Sequence, residues 1–222
     1  MIRELFVFGV GGLSKEVTQL IEHINLVARD TYNIAAYVLT IHVTEPLFRG
    51  KKVISEQTFL ERLEKNGEAH VVIAIGTPSV RQTIVNRLNN YNIHYPCLIH
   101  PSSKLDPSVS MKEGVTICAN VTSTVDISIG RHTYINFGCT IAHDVQIGDF
   151  VQINPLSSIS GRVKIGNNCL IGAGSIIHEN TKIGDGCTVG IGSVVLQDLK
   201  PNTTVFCNPA RQLPLRKDIQ ND

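Results

Sequence analysis

The second half of the chain carries an aliphatic residue at every sixth position. From Leu105 to Val195, fifteen of the sixteen positions spaced in this way are aliphatic, and Ser123 is the exception. A small or β-branched residue usually lies four positions later, and glycine often follows the aliphatic residue directly. A helix with 3.6 residues per turn cannot keep a six-residue period on one face, whereas a short strand followed by a tight turn can.

This period predicts a triangular parallel β-helix. The small residue and the next aliphatic residue are two positions apart, so both point inward from one strand, and the glycine-rich position turns the corner. Three sides close one coil, and the sixteen repeats give about five coils that pair by parallel hydrogen bonds. Short antiparallel strands are the alternative, but hairpin turns of variable length would not preserve the register.

The first hundred residues follow a different rhythm. We predict strands over residues 5–8, 34–39 and 71–75, and helices that begin at Ser14, at Ser55 and at Thr77 with the proline that follows it. Alternating strands and helices imply a small parallel sheet with helices on its faces. Three prolines, at positions 96, 101 and 107, lie between the two hydrophobic patterns. We therefore place a Rossmann-like α/β domain over residues 1–98 and a β-helix domain with a C-terminal tail over residues 99–222.

Composition removes several classes of function. The 222 residues are 42% hydrophobic and 18% charged, and the formal net charge is +1 without a block of Lys or Arg, which disfavours a nucleic-acid partner. Neither a signal-peptide pattern nor an apolar run of membrane-spanning length is present, so we expect a cytoplasmic protein without a membrane span. The six cysteines form no Cys-x-x-Cys pair, and we expect no metal site.

Gly9, Gly11 and Gly12 join the first predicted strand to the first helix. A flexible backbone before a helix N-terminus is a candidate site for phosphate. The full dinucleotide fingerprint is absent because Ser14 stands at the third glycine and no acidic residue follows the second strand at Leu39. The pattern favours a sugar nucleotide over NAD, and a turn that only lets the helix pack closely is the alternative.

Among the eight histidines, His143 has the position that best suits a proton acceptor. It lies on an outward-facing corner, Asp144 follows it, and Gly161 lies one coil further on, so no side chain covers it. His178 precedes Glu179 but stands where glycine is common, which favours a role in the turn. An ordinary exposed turn histidine is the alternative for His143.

The repeat and the residues around the candidate base carry a family resemblance. The central run reads Asn136-Phe137-Gly138-Cys139-Thr140-Ile141-Ala142-His143-Asp144-Val145-Gln146-Ile147-Gly148-Asp149. With the Gly-x-Gly-Gly-x-x-Lys start, Ala74-Ile75-Gly76 and the closing Asn208-Pro209-Ala210, it resembles the left-handed β-helix acetyltransferases of the sialic-acid O-acetyltransferase type. That group includes nucleotide-linked amino-sugar N-acetyltransferases of the bacillosamine and perosamine type. The resemblance also supplies the left hand of the coil, which the usual crossover rule does not predict.

The resemblance implies a role for each matching residue. His143 corresponds to the general base that deprotonates an acceptor amine for direct attack on acetyl-CoA, and Asp144 to the acid that orients its imidazole. It also implies homotrimers with active sites between subunits. The residues matched to the sugar-nucleotide site are Gly9, Gly11, Gly12, Gly76 and Asn136. The residues matched to the acetyl-CoA site are Gln152, Gly161, Ala173, Ile191 and Pro209.

Two positions depart from the family pattern. Gln152 stands where many relatives carry a second histidine, nine residues after the first, and Thr40 stands where relatives often show an acidic pair. The nucleotide (UDP, dTDP or GDP) and the amino sugar therefore stay open. We predict an acetyl-CoA-dependent N-acetyltransferase acting on a nucleotide-linked amino-deoxy sugar. The alternatives are O-acetylation of a sugar hydroxyl, a non-catalytic β-helix scaffold and, disfavoured by the missing acidic residue, an NAD-dependent oxidoreductase.

Overall fold

A parallel sheet flanked by helices forms the first domain of the protein. The structure, a computed structural model, describes residues 2–28, 31–40 and 46–212. Within these residues the strands of the first domain are β1 Ile2–Phe8, β2 Thr31–Leu39, β3 Leu47–Phe48, β4 Lys51–Ser55, β5 Ala69–Ile73 and β6 Ile93–His94. The helices are α1 Gly12–Val27, α2 Glu56–Asn66 and α3 Pro78–Leu88.

The strands are ordered β3-β4-β2-β1-β5-β6, and all pairs are parallel except β3 with β4. Two apolar clusters lie on the opposite faces of this sheet, one beneath α1 and the other beneath α2 and α3. The predicted α/β layout is confirmed. The sequence pattern did not reveal β3, β4 and β6, because two of them have only two residues and β4 begins with two lysines.

Helix α1 begins earlier than the sequence predicts. Gly11 is its N-cap residue, whereas Ser14 lies within the first turn and is fully buried. The Ser14 hydroxyl donates to the carbonyl oxygen of Ala74 at 3.4 Å instead of capping the helix. The prediction of Ser14 as the N-cap was wrong because the glycine turn lets the helix start at once, and Ser14 then faces the sheet. The Ser55 cap of α2 is present, since its hydroxyl accepts from the Thr58 amide at 3.1 Å.

A left-handed parallel β-helix with three faces forms the rest of the described chain. The covered face, which packs against the first domain, consists of rungs at 98–99, 116–117, 134–135, 152–153, 170–171, 188–189 and 204–206, followed by 211–212. The open face consists of rungs at 122–123, 140–141, 158–159, 176–177 and 194–195. The lysine face consists of rungs at 110–111, 128–129, 146–147, 164–165 and 182–183.

Most rungs pair in parallel with the residues one coil, or 18 positions, further on, as Ile135 does with Ile153 and Ile153 with Ile171. At the C-terminal end of the covered face, rung 188–189 pairs with residues 16 positions further on, and rung 204–206 pairs with 211–212 in antiparallel orientation. The second residue of each rung points inward, and the aliphatic positions of the repeat form one continuous core. Buried thiols fill some of the small positions between them. Burial raises the pKa of the Cys139 thiol to about 11 and that of the Cys169 thiol to about 12, so both stay protonated and donate to neighbouring carbonyl groups.

Most turns at the three corners of the coil contain a residue with left-handed backbone geometry. We name the corners after three residues: the His143 corner joins the open and lysine faces, the Ala173 corner joins the covered and open faces, and the His132 corner joins the lysine and covered faces. At the His143 corner the left-handed residues are Asp126, Asp144, Arg162 and Asn180, with φ between 58° and 62°. Aspartate and asparagine tolerate this region better than most residues, which explains their frequency there.

The first domain docks on the covered face and the adjoining His132 corner. Outward-facing Cys118 and Tyr134 of the covered face belong to the same apolar cluster as Val7 and Leu20 of the first domain. Phe150, at the His132 corner, packs in the cluster beneath α3. The His143 corner lies opposite the covered face. In one chain the first domain and His143 are therefore on opposite sides of the coil.

Candidate active site

The repeat presents His143 and Asp144 together at one corner. His143 is the first residue of the turn and Asp144 is the left-handed second residue, which aims both side chains outward. Nδ1 of His143 lies 2.8 Å from Oδ2 of Asp144, and the side chains are 45% and 54% exposed. Because the carboxylate accepts a hydrogen bond, Nδ1 carries the proton and Nε2 is left as the basic nitrogen. Within the described residues Nε2 has no hydrogen-bond partner.

Gly161 forms the floor beneath this imidazole. A Cβ atom added at Gly161 would lie 2.7 Å from both Cε1 and Nε2 of His143. The ring therefore rests on bare backbone one coil below. The structure places Gly161 where the period predicts it, and any larger residue there would displace the ring.

The glycine turn forms a cradle at the carboxyl ends of β1, β2 and β5. Gly9 has a φ of 112°, and a Cβ atom there would lie 2.9 Å from the carbonyl oxygen of Ala74, so only glycine fits. Gly11 and Gly12 are exposed and have open space around them. A cavity of about 250 Å³ adjoins them. Its lining consists of Val10, Gly11, Gly12, Lys15, Leu39, Leu47, Phe48 and Val53.

This cavity suits an anionic ligand with an apolar part. The free amides at the start of α1 and the exposed ammonium of Lys15 favour negative charge, and the lining residues that the structure describes include no acidic side chain. Gly76 lies at the same edge of the sheet, since β5 is the neighbour of β1 and Leu13 is 3.9 Å from the position of a Gly76 Cβ. The structure thus brings the predicted glycines together.

Asn136 and Gln152 lie on the covered face, away from His143 of the same chain. Both are buried, and Asn136 Oδ1 accepts from the Phe137 amide at 2.8 Å. Oε1 of Gln152 accepts from Arg81 at 3.1 Å, and its Nε2 donates to Asn154 Oδ1 at 3.2 Å. Their predicted roles in substrate and acetyl-CoA binding therefore require a second chain to supply His143.

The other residues matched to acetyl-CoA also lie apart from His143. Ala173 and Ile191 occupy successive coils at the Ala173 corner, where Ile191 is 76% exposed. Pro209 is exposed at the C-terminal end of the coil, beside a groove of about 720 Å³ formed by residues 195–212. Only Gly161 among this predicted set is next to His143 in the same chain.

Arg81 is a buried charge that the sequence analysis did not identify. It lies in α3, is 2% exposed, and donates to the carbonyl oxygens of Ile75, Phe150 and Val151 as well as to Gln152. Burial lowers the pKa of its guanidinium to about 10, so it stays charged. The available signal was its spacing, because Arg81 shares the apolar helical face of Ile84, Val85 and Leu88.

The described part of the chain contains no cluster of three or more His, Cys, Asp or Glu residues arranged to hold a metal ion. None of its helices is long and apolar enough to span a membrane.

Comparison with protein families matches both domains. Residues 4–88 match the PglD N-terminal domain, and residues 144–179 and 162–197 match the bacterial transferase hexapeptide family (six repeats). No curated protein matches the sequence significantly.

Solved structures resemble the chain over nearly its full length. PerB from Caulobacter crescentus, solved with CoA and GDP-perosamine, is 27% identical with a TM-score of 0.86, over 95% of this chain and 97% of PerB. The acetyltransferase domain of PglB from Neisseria gonorrhoeae is 28% identical with a TM-score of 0.84, over 95% of this chain and 100% of that domain. WeeI from Acinetobacter baumannii is 27% identical with a TM-score of 0.81, over 96% of this chain and 100% of WeeI.

The domain matches and the structural likeness agree with each other and with the predicted fold. They confirm the α/β domain followed by a left-handed β-helix, and they confirm the family resemblance found in the sequence. Residues 4–88 therefore form a PglD N-terminal domain, residues 144–197 consist of hexapeptide repeats, and the protein is an acetyl-CoA-dependent sugar acetyltransferase.

Proposed function

We propose that the protein transfers the acetyl group of acetyl-CoA to the amino group of a nucleotide-linked amino-deoxy sugar, with His143 as the general base. The observation that carries this proposal is the pair of His143 and Asp144 above the bare backbone of Gly161, with Nε2 free to accept a proton. The likeness to PerB, which was solved with CoA and GDP-perosamine, supports the choice of co-substrate and of substrate class.

The chemistry follows from the orientation of the imidazole. The acceptor reacts as the free amine: its nitrogen attacks the thioester carbon, and Nε2 of His143 removes one proton from that nitrogen. A C–N bond forms, the C–S bond of the tetrahedral intermediate breaks, and the thiolate of CoA leaves and takes the proton from the imidazolium. The carboxylate of Asp144 keeps Nδ1 protonated and stabilises the imidazolium during the reaction.

The site is complete only if two chains contribute to it. His143, Asp144 and Gly161 lie at one corner, whereas the glycine cradle, Asn136 and the other predicted acetyl-CoA residues lie around the covered face and the Ala173 corner. Three copies whose open faces turn towards a common axis would put each His143 corner beside the Ala173 corner of the next copy. We therefore propose a homotrimer with its active sites between chains.

The distribution of exposed apolar side chains supports this arrangement. Among the described residues of the β-helix, six large apolar side chains are exposed, and all lie on the open face or at the two corners that border it. They are Val125, Phe137, Leu156, Ile176, Ile191 and Leu196. Apolar surface grouped in this way is typical of an interface. The open face is thus the natural contact between copies.

The substrates have separate places in this composite site. The nucleotide diphosphate fits the cradle of Gly11 and Gly12 beside Lys15, where helix α1 offers free amides. The pantetheine arm fits the groove between neighbouring coils, along Gly161 of one chain and Ala173 and Ile191 of the next. Pro209, at the end of the coil, is then placed for the far end of the cofactor.

Release of free CoA thiol from acetyl-CoA tests the proposed reaction. The acceptors are UDP-, dTDP- and GDP-linked 3-amino- and 4-amino-6-deoxy sugars, with a sialic acid beside them. We expect turnover with one amino sugar, which also identifies the nucleotide. Turnover with sialic acid alone would replace the proposal by O-acetylation, and an absence of acetyl-CoA binding would exclude acetyl transfer.

Co-expression of two inactive variants tests the composite site. His143→Ala removes the base, and Gly12→Asp places a carboxylate in the cradle, at an exposed position with open space around it. Random mixing in a trimer leaves about one quarter of the sites with an intact base and an intact cradle, since each is present with a probability of one half. We expect about that share of wild-type activity from the mixed trimer. Activity no higher than in either variant alone would place the whole site in one chain.

A further inference from the structure

Arg81 is a buried cation without an anionic partner in the described part of the chain. All four of its hydrogen-bond acceptors are uncharged: the carbonyl oxygens of Ile75, Phe150 and Val151, and the amide oxygen of Gln152. Its Nε has no partner. A buried charge in such surroundings costs stability, and an apolar residue of similar size would avoid that cost. A contribution to function would explain why the charge is present.

The guanidinium determines which way the next side chain points. Arginine only donates hydrogen bonds, so the atom of Gln152 that faces Arg81 must be its oxygen. The amide nitrogen of Gln152 then points away from Arg81 and donates to Asn154 Oδ1 at 3.2 Å. This bond in turn fixes the oxygen of Asn154 towards Gln152. The nitrogen of Asn154 is therefore directed outward, and it has no partner among the described residues.

Asn154 lies at the height of the catalytic base of a neighbouring chain. When three chains are related by a threefold axis parallel to the β-helix axis, equivalent residues have the same position along that axis, which is called their height here. Asn136 precedes His143 by seven residues and Asn154 follows it by eleven, in a coil of 18 residues. With a spacing of about 4.8 Å per coil, the two asparagines lie about 2 Å and about 3 Å from the height of His143, on either side of it. Asn154 is only partly buried and borders the Ala173 corner.

We propose that Arg81 and Gln152 are positioning residues that present the side-chain N–H of Asn154 to the carbonyl oxygen of the bound thioester. This inference rests on the proposed function and adds an oxyanion donor to it. Negative charge develops on that oxygen when the amine attacks, and a donor held in place beforehand stabilises it more than a mobile one. The positive charge of Arg81 polarises the two amides in series and strengthens the final N–H as a donor.

The hydrogen bonds from Arg81 to Gln152 and from Gln152 to Asn154 form a relay. Gln152→Glu reverses the direction of its second bond and leaves Arg81 with a hydrogen-bond acceptor. One carboxylate oxygen pairs with Arg81, and the other accepts from the nitrogen of Asn154, which turns the Asn154 oxygen outward. We expect kcat to fall about 100-fold, as for loss of one oxyanion donor, with the KM for acetyl-CoA and the melting temperature close to wild type. Gln146→Glu is the matched control, because Gln146 holds the same rung position on the exposed lysine face. Equal losses in both variants would indicate a general effect of charge and overturn the proposal.

A double-mutant cycle separates the loss of the donor from the added charge. Asn154→Ala alone should lower kcat about as much as Gln152→Glu, and the double variant should be no slower than either single variant. If kcat of the double variant falls by the product of the two single-variant losses, the residues act independently and the relay is refuted. Wild-type kcat in Asn154→Ala would also refute it.

A spectroscopic measurement tests the hydrogen bond without turnover. The carbonyl stretch of ¹³C-labelled acetyl-CoA should shift to lower frequency on binding the wild-type protein and less on binding Gln152→Glu or Asn154→Ala. The same shift in all three proteins would overturn the relay while leaving the proposed reaction intact. Failure of the wild-type protein to bind acetyl-CoA would overturn the proposed function and this inference together.

Discussion

Two histidines occupy corners of the same β-helix, and each lies over a glycine of an adjacent coil. The ring of His143 rests on Gly161, and that of His132 rests on Gly114. His143 is half exposed and hydrogen-bonded to a carboxylate, whereas His132 is 3% exposed and its Nε2 has no hydrogen-bond partner among the described residues.

This difference arises because the first domain covers the His132 corner and leaves the His143 corner exposed. At the His132 corner, Tyr95 packs edge-on against the imidazole and Phe150 stacks on it, with ring centroids at 4.6 Å and 5.2 Å. Burial, together with the charges of Arg81 and Arg131, lowers the pKa of His132 to about 4. His132 is therefore held neutral as part of the core. The repeat supplies histidine positions, and the neighbouring domain determines which of them is exposed to solvent.

Among the variants that test the difference between the two histidines, His143→Ala is expected to have the largest effect, and that effect is on kcat. His143→Ala should lower kcat by roughly 10²–10⁴-fold, because a positioned general base contributes that much. The melting temperature should change little, since the side chain is half exposed. His132→Phe, measured in the same CoA-release assay, should keep most of its activity. A loss below about threefold in His143→Ala would remove His143 from the mechanism.

Acid should expose the role of His132 in stability. Its pKa is about 4 in the folded protein, against the ordinary value of 6.5. Between pH 6.5 and pH 4, His132 is therefore protonated in the unfolded chain and neutral in the folded chain, so that the free energy of unfolding decreases as the pH falls. The neutral histidine therefore contributes stability above pH 6.5, and on the order of 3 kcal/mol of it is lost by pH 4. Denaturant unfolding at several pH values measures this loss.

The matched variant for the acid experiment is His132→Phe. Phe150 holds the equivalent position one coil further on, with a φ of 58° against 54° for His132, so the backbone accepts phenylalanine there. The variant should lose less stability than wild type over the same pH range. A residual slope of the same sign is expected from His70 and His100, whose pKa values are also lowered, chiefly by burial. Identical slopes in the two proteins would contradict the assignment.

The two glycines should give the smallest effects, and effects of different kinds. Gly161 does not have positive φ, and the ring above it is free to move, so Gly161→Ala should displace His143 and lower kcat roughly tenfold with little change in melting temperature. Gly114 has a φ of 69° and lies under a ring that is locked in place. Gly114→Ala should lower the free energy of unfolding by about 1–3 kcal/mol. The same response in both variants would show that the corners do not differ as described.

The six-residue period carried most of the correct prediction. It gave the coil length, the inward positions and the place of Gly161 beneath His143, because a parallel coil of constant length turns sequence spacing directly into spatial position. In the first domain, which lacks this period, the prediction failed at Ser14, where packing against the sheet outweighed the tendency of serine to cap a helix. Arg81 was not identified there because arginine side chains are usually solvated, although its spacing places it on the apolar face of α3.

The local geometry of the chain can be derived from the order of its residues: the rungs, the left-handed corners, the glycine turn and the pairing of His143 with Asp144. These features depend on residues that are adjacent in sequence or one coil apart. The folded chain adds that the first domain covers one face, that Gln152 and Asn136 are buried on that face, and that Arg81 aligns two amides. Those relations depend on docking between domains distant in sequence, and no repeat period encodes which face of a regular prism will be covered.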